Sequence, residues 1–229
     1  MLNIYLVRHG KTMFNTIGRA QGWSDTPLTA AGETGIEELG LGLKARAIKF
    51  ARAYSSDSGR TIQTMSLILK HSENEGIPYK MDPRIREWCF GSFDGGYDGD
   101  LFDGVLPKIF AERGHDGELP DFPEIAAAIY EVDTAGWAET WEQISGRILG
   151  GFTAIAKESE AEAAENIVIV SHGMTIATFM RLLRPDQPRV HGLENGSVTH
   201  LGFENGHFTV GEIGDLSYRE IGKEKLALL

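Results

Sequence analysis

Two histidine–glycine pairs sit where apolar runs end: Arg8-His9-Gly10 follows Leu2–Val7, and Ser171-His172-Gly173 follows Asn166–Val170. Both runs are nearly continuous rather than alternating, the pattern of strands covered on both faces. A glycine after each histidine, Gly10 and Gly173, lets the backbone turn sharply and approach a ligand closely. Free N–H groups at the helix start that follows favour an anion. Arg8, and Arg60 in the turn after a third run at Phe50–Ser55, add two guanidinium forks suited to phosphate. Each piece alone is ordinary, since a strand-end histidine is usually a hydrogen-bonded structural residue and an arginine near a helix start is usually solvated. Four basic groups at equivalent ends of one sheet are harder to dismiss, because their mutual repulsion costs energy unless an anion offsets it. The chemistry expected there is the binding or transfer of a phosphoryl group.

The surrounding elements must place these groups on one rim. After Phe50–Ser55 comes "SDSGRTIQTMSLILK", with Ile62, Met65, Ile68 and Leu69 at helical spacing. "VSHGMTIATFMRLLRP" repeats the arrangement, with Ile176, Phe179, Met180 and Leu183 on one face and Pro185 as the stop. A further helix is expected over Ala30–Ala45. Strands alternating with helices predict an α/β fold, a three-layer sandwich with a mostly parallel central sheet, in which ligands bind beyond the carboxyl ends of the strands. The stretch from about 94 to 140, rich in Gly, Asp and Pro, breaks that rhythm and reads as an inserted, partly helical cover over the active site. A helical pattern resumes over Thr140–Ser159, and Asn205-Gly206 reads as the turn of a hairpin. Residues 1–229 are expected to form one domain.

At 229 residues and 41% hydrophobic content the chain can bury a sizeable core. A net charge of -11 argues against a general binder of nucleic acid or of an anionic membrane, which needs an extended basic surface. The lone Cys89 excludes an internal disulfide framework and fits a reducing compartment as a small buried apolar group. Neither a signal peptide nor a spanning segment is expected, so the reading is a cytoplasmic protein acting on a small phosphorylated substrate. The sequence specifies no oligomeric state.

Five stretches, "LVRHGKTMFN", "GRAQGWSDTPLTAAG", "YSSDSGRTIQT", "REWCFGSFDG" and "IVIVSHGMTI", resemble in order and separation the motifs of the histidine phosphatases, the phosphoglycerate mutase-like superfamily. The resemblance covers most of the chain outside the cover and the C-terminus. It implies that His9 is a nucleophile phosphorylated on a ring nitrogen, that Arg8, Arg60 and His172 bind the phosphoryl oxygens, and that Asn15 is a further phosphate contact. His172 thereby joins the catalytic set, and Glu87 matches the family's proton donor. Trp88, Cys89, Phe90 and Phe93 around Glu87 predict an apolar setting that would raise its carboxyl pKa. Asp94 falls where the family carries an acidic residue with a structural task. Gln21 and Gly22 lie in a loop expected to touch the non-phosphate end of the substrate. Lys11 departs from the Glu or Gln common after the Arg-His-Gly triplet. No metal or other cofactor is implied, and zinc on His9 and His172 is disfavoured because two flanking arginines would repel it.

Phosphoglycerate mutases of this family hold a carboxylate with basic residues in the segment after the catalytic Glu. Here the stretch from Asp94 to Asp121 is acidic, with only Lys108 and Arg113 as formal cations. Water is therefore the expected phosphoryl acceptor and a phosphatase the expected activity, with the mutase as the alternative. A non-catalytic binder of phosphorylated ligands is a third reading, disfavoured by the joint presence of His9, Arg60, Glu87 and His172. The acidic cover disfavours highly anionic substrates.

Overall fold

The computed structural model describes residues 1–115, 117 and 120–228. Leu2–Arg8 (β1), Arg52–Ser55 (β2), Tyr79–Met81 (β3), Asn166–Ser171 (β4), Val198–Glu204 (β5) and His207–Val210 (β6) form one sheet in the order β3-β2-β4-β1-β5-β6. β1, β2, β3 and β4 pair in parallel, and β5 and β6 add antiparallel to the β1 edge. The two central strands, β1 and β4, are the continuous apolar runs. Leu2, Ile4 and Leu6 of β1 and Ile167 and Ile169 of β4 point into one core, whereas Val7, Val168 and Val170 point into the other. This is why the runs do not alternate: both faces are covered.

One face is covered by Ala30–Ala45 (α2), Gly59–His71 (α3) and Ser217–Leu226 (α8), through Ile36, Leu39, Leu43, Met65, Ile68 and Tyr218. The other is covered by Phe122–Val132 (α5), Trp141–Ala161 (α6) and Gly173–Leu183 (α7), where Phe152 stacks on Phe179 with ring centroids 4.3 Å apart. The expected layered α/β architecture is the one observed. Thr140 caps α6, its hydroxyl accepting from the Gln143 N–H while the Gln143 side chain returns to the Thr140 N–H. Asn205 and Gly206 both have positive φ, as a tight hairpin turn requires.

A short helix Met13–Ile17 (α1) follows the Arg8-His9-Gly10 turn. Between residues 94 and 140 the described residues form a π-helical turn over Asp100–Val105, Leu106–Glu112 (α4) and α5. Asp116, Glu118 and Leu119 of that segment lie outside the described residues. The sequence reading did not anticipate β3 or α8. α8 crosses α2 almost backbone to backbone: a Cβ at Gly42 would stand 1.8 Å from the Tyr218 carbonyl, and one at Gly222 1.6 Å from that of Glu38.

Candidate active site

Strand register brings the two histidines together. Arg8 of β1 lies beside Ser171 of β4, so His9 and His172 leave adjacent strand ends, their ring centroids 5.3 Å apart. His9 is buried, and its Nδ1 donates to the Gly10 carbonyl at 2.9 Å. A carbonyl can only accept, so Nδ1 carries the proton and the Nε2 lone pair is left for chemistry. The backbone beneath is fixed as well: Gly10 N–H donates to Thr64 Oγ1 at 2.9 Å, and Asn195 Nδ2 donates to the His9 carbonyl at 2.9 Å.

His172 has the opposite tautomer. Arg60 Nη2 donates to its Nδ1 at 2.9 Å, so in the neutral ring Nε2 carries the proton and donates to Ser56 Oγ at 2.7 Å. Arg60 is wholly buried in the first turn of α3, not in the turn before it. Its other Nη contacts are Asp25 and the Ser24 carbonyl, each 2.9 Å from Nη1, with the Gly22 and Gln21 carbonyls 2.8 and 3.3 Å from Nη2. Burial, followed by the charge of Arg60, pushes both imidazoles well below the usual histidine range.

That depression has a sign in stability. Below the ordinary value of 6.5 the unfolded chain takes up protons that the folded rings refuse, so stability is lost as the pH is lowered. The expected slope is up to about 1.4 kcal/mol per pH unit for each ring. Asp57, Asp82, Asp121 and Asp133 are lowered from 3.8 and act in a more acidic window. Urea midpoints should therefore drop between about pH 7 and about pH 5.5, and His9→Asn should flatten the slope. An unchanged slope in the variant would contradict the buried neutral ring.

Glu87 departs from expectation in its setting. Its carboxylate sits on the N-terminus of α7, with Oε1 accepting from Thr175 N at 2.9 Å, Thr175 Oγ1 at 3.0 Å and Trp88 N at 3.1 Å, and Oε2 from Met174 N at 3.0 Å. The side chain is buried, as are Trp88, Cys89 and Phe90 beside it, but its carboxylate meets donors that the sequence did not suggest. The Met174 and Thr175 N–H groups are thus taken by a protein carboxylate, and the first N–H after His9 by Thr64, instead of standing free for an external anion. Burial pushes the neighbouring Cys89 thiol up to about 11.

A cavity of about 760 Å³ opens in front of His9. Arg8, Asn15, Gln21, Glu87 and Gly173 line it with His9, whereas Arg60, His172 and Gly22 do not. Arg8 Nη1 donates to the Leu193 carbonyl. A Cβ at Gly173 would stand 3.3 Å from Arg8 Nε, so the glycine makes room for the guanidinium. Asn15 Oδ1 accepts from Thr12 N at 3.2 Å and Asn195 Nδ2 at 3.3 Å. The Gln21 amide bridges Thr12 Oγ1 (2.6 Å) and Thr26 Oγ1 (3.1 Å). Gly22 has a structural place: its N–H donates to Asp94 Oδ1 at 2.8 Å, and a Cβ there would meet the Trp88 carbonyl at 2.3 Å. Asp94 also receives Ser24 N and Phe90 N, latching the loop to the Glu87 segment. Lys11 points outward and is exposed.

Cavity residues that the sequence did not single out are Arg19, Asp98, Asp103, Arg189 and His191, with an apolar wall of Phe90, Phe102, Leu106, Phe110, Phe122 and Ile125. Arg19 stands inside one of the quoted motifs, which was a usable signal. Arg189 and His191 lie in an irregular stretch after Pro185, where no periodicity marks a direction. Among the described residues no group of three or more His, Cys, Asp or Glu side chains gathers as a metal site.

A buried histidine at a parallel strand end, a second histidine beside it and a carboxylate on the same cavity make up the site of this α/β protein. The chain belongs to the histidine phosphatase superfamily, branch 1, whose family model matches residues 4–216. It is similar to the crystal structure of a phosphoglycerate mutase from Bacillus anthracis strain Sterne, with 36% identity, a TM-score of 0.87, and coverage of 97% of this chain and 96% of that one. A broad-specificity phosphatase of Saccharomyces cerevisiae is 26% identical over 222 residues, covering 95% of this chain and 87% of the relative. A phosphoserine phosphatase of Entamoeba histolytica, solved with 3-phosphoglyceric acid, is 25% identical with a TM-score of 0.71, covering 96% of this chain and 100% of that one. No helix among the described residues is long and apolar enough to cross a membrane.

Proposed function

We propose that this chain is a phosphomonoester hydrolase acting through a phosphohistidine at His9 on a small phosphorylated substrate. The observation that carries the reading is the His9 tautomer. With Nδ1 held by Gly10 and the ring kept neutral by burial and by Arg60, Nε2 is an available nucleophile at the cavity floor. Nε2 attacks phosphorus, the ester P–O bond breaks, and Glu87 delivers a proton to the departing oxygen. Water then attacks the phosphohistidine, Glu87 accepts its proton, and phosphate leaves with Nε2 restored.

Arg8 and the Asn15 amide, which line the cavity, supply donors for the phosphoryl oxygens, and Arg60, buried outside the cavity lining, adds fixed positive charge. Arg8 Nε and Arg60 Nε are buried and have no acceptor among the described residues. An unmet buried donor costs about 1–3 kcal/mol, more for a charged group, which a phosphoryl oxygen in the cavity would relieve at Arg8. His172 keeps Arg60 in place. Fixed guanidinium charge serves the transition state, so no metal and no cofactor enter the scheme. Residues 1–229 act as one domain, with 94–140 as the cover.

Two features favour water over a second substrate molecule as acceptor. The cover presents an apolar wall, and the cations beside it are engaged, Arg19 with the Gly95 carbonyl and the Tyr97 ring, Arg189 with the Pro120 carbonyl and the Phe122 ring. A three-carbon acid would find little there for its carboxylate, whereas an apolar ester would bury surface. The test is phosphate release from a panel of phosphomonoesters, with chelator present, set against conversion of 3-phosphoglycerate to its 2-isomer primed by 2,3-bisphosphoglycerate. Hydrolysis of apolar esters should be the faster activity and should survive the chelator. Primed isomerisation that outruns phosphate release would make the chain a mutase.

A further inference from the structure

Glu87 lies in a stretch with no regular secondary structure: after a 3-10 turn over Pro83–Ile85, the backbone from Arg86 to Phe90 belongs to neither strand nor helix. Something other than a ladder must hold it. We infer that Arg147, locked to Glu139, is a positioning residue that holds the peptide from which the Glu87 carboxylate reaches the cavity.

Arg147 projects from α6 and spends all five of its N–H donors on this task. Nε and Nη2 grip the Glu139 carboxylate at 2.5 and 2.7 Å. Nη1 donates to the carbonyls of Arg84 (3.1 Å) and Arg86 (2.7 Å), and Nη2 to that of Glu87 itself (2.8 Å). Glu139 completes the clamp by accepting from Cys89 N at 3.1 Å. Ion pair and peptide segment thus form one unit from Arg84 to Cys89, and the pair is little exposed, at 14% and 10% of the side-chain surface. No side-chain atom of either residue needs to touch a substrate, as neither lines the cavity. Their effect passes through the Glu87 peptide, with Trp23 Nε1 adding a second donor to the Glu87 carbonyl at 3.0 Å.

The geometry asks for arginine. A lysine would keep a positive charge beside Glu139, but its single ammonium cannot reach the carboxylate and three carbonyls at once. Arg147→Lys should therefore leave the fold charged as before and let the Glu87 segment drift. A displaced proton donor harms poor leaving groups first, because an alkoxide needs the proton and p-nitrophenolate does not.

The inference rests on the acid–base role proposed for Glu87, and the experiment separates the two. Single-turnover phosphorylation of His9 is measured on full-length protein with an alkyl phosphate and with p-nitrophenyl phosphate. Arg147→Lys should slow the alkyl ester about 10-fold or more and the aryl ester less than about 3-fold, a share of the roughly 100-fold or more that general acid catalysis provides. The ratio of the two rates on one preparation cancels any loss of folded protein, which a merely structural role would produce. In a Glu87→Gln background the same change should add no further loss on the alkyl ester, since the group being positioned is gone. Glu139→Gln, which weakens the clamp without removing the guanidinium, serves if Arg147→Lys gives no folded protein, and should shift the ratio in the same direction. Equal losses on both esters, or additive losses in the double variant, overturn the positioning role. If Glu87→Gln itself shows no preference between the esters, the acid–base assignment is at fault instead.

Discussion

Replacing His9 with alanine should reduce turnover by on the order of 10⁴-fold or more and eliminate the covalent intermediate, because the other histidine on the described cavity lining, His191, is exposed in an irregular stretch and not held at a buried strand end. His172 cannot stand in: its Nδ1 lone pair is taken by Arg60 and its Nε2 proton by Ser56. Rapid acid-free quenching of the wild type with labelled substrate should trap an adduct that is stable to alkali and lost in acid, the signature of a phosphoramidate. The alanine variant should trap none. The loss should not reflect unfolding, since the ring's hydrogen bond is to its own neighbour, Gly10, and the loop backbone keeps its bonds to Thr64 and Asn195. Near wild-type turnover in His9→Ala would rule out the covalent route.

The second large effect is expected at Glu87 and should differ between substrates. Glu87→Gln retains an acceptor oxygen for the α7 N–H groups but cannot shuttle a proton. With an alkyl phosphate the phosphorylation step should slow by about 100-fold to 10,000-fold. With p-nitrophenyl phosphate the phenolate burst should largely survive, while breakdown of the phosphohistidine slows because water has lost its base. Pre-steady-state kinetics on the two esters resolve the two half-reactions. Equal burst losses for both leaving groups would move the proton donor elsewhere, to Asp98 or Asp103 on the cavity wall and away from Asp94, whose oxygens are occupied by backbone N–H groups.

The sequence made β1, β4, α2, α3 and α7 legible, because each carries its apolar residues at a period that burial on the sheet demands. β3 was not legible: three exposed residues at an edge need only backbone pairing with β2, and no side-chain pattern records that. α8 is largely polar and packs through Gly222 and Tyr218, so its helical face leaves little trace. In the site, the residues inside local motifs were found, His9 and His172 above all. What escaped was whatever depends on a partner far along the chain, such as the Arg147 clamp on residues 84 to 89 or the arrival of Arg189 and His191 at the cavity. The donors that meet the Glu87 carboxylate escaped for the same reason, since they come mostly from α7, some 87 residues later.

The crossing of α2 and α8 has a consequence for mutational tolerance. With carbonyls standing less than 2 Å from where a methyl group would go at Gly42 or Gly222, even alanine would force α8 to move away bodily. Arg219 travels on that helix, and its Nη1 holds the Asn195 carbonyl at 3.0 Å, while the Asn195 amide holds the His9 carbonyl and the Asn15 side chain. A surface helix on the far face of the sheet is therefore a strut of the reactive loop, and two glycines remote from any substrate should accept as little change as the residues that touch it.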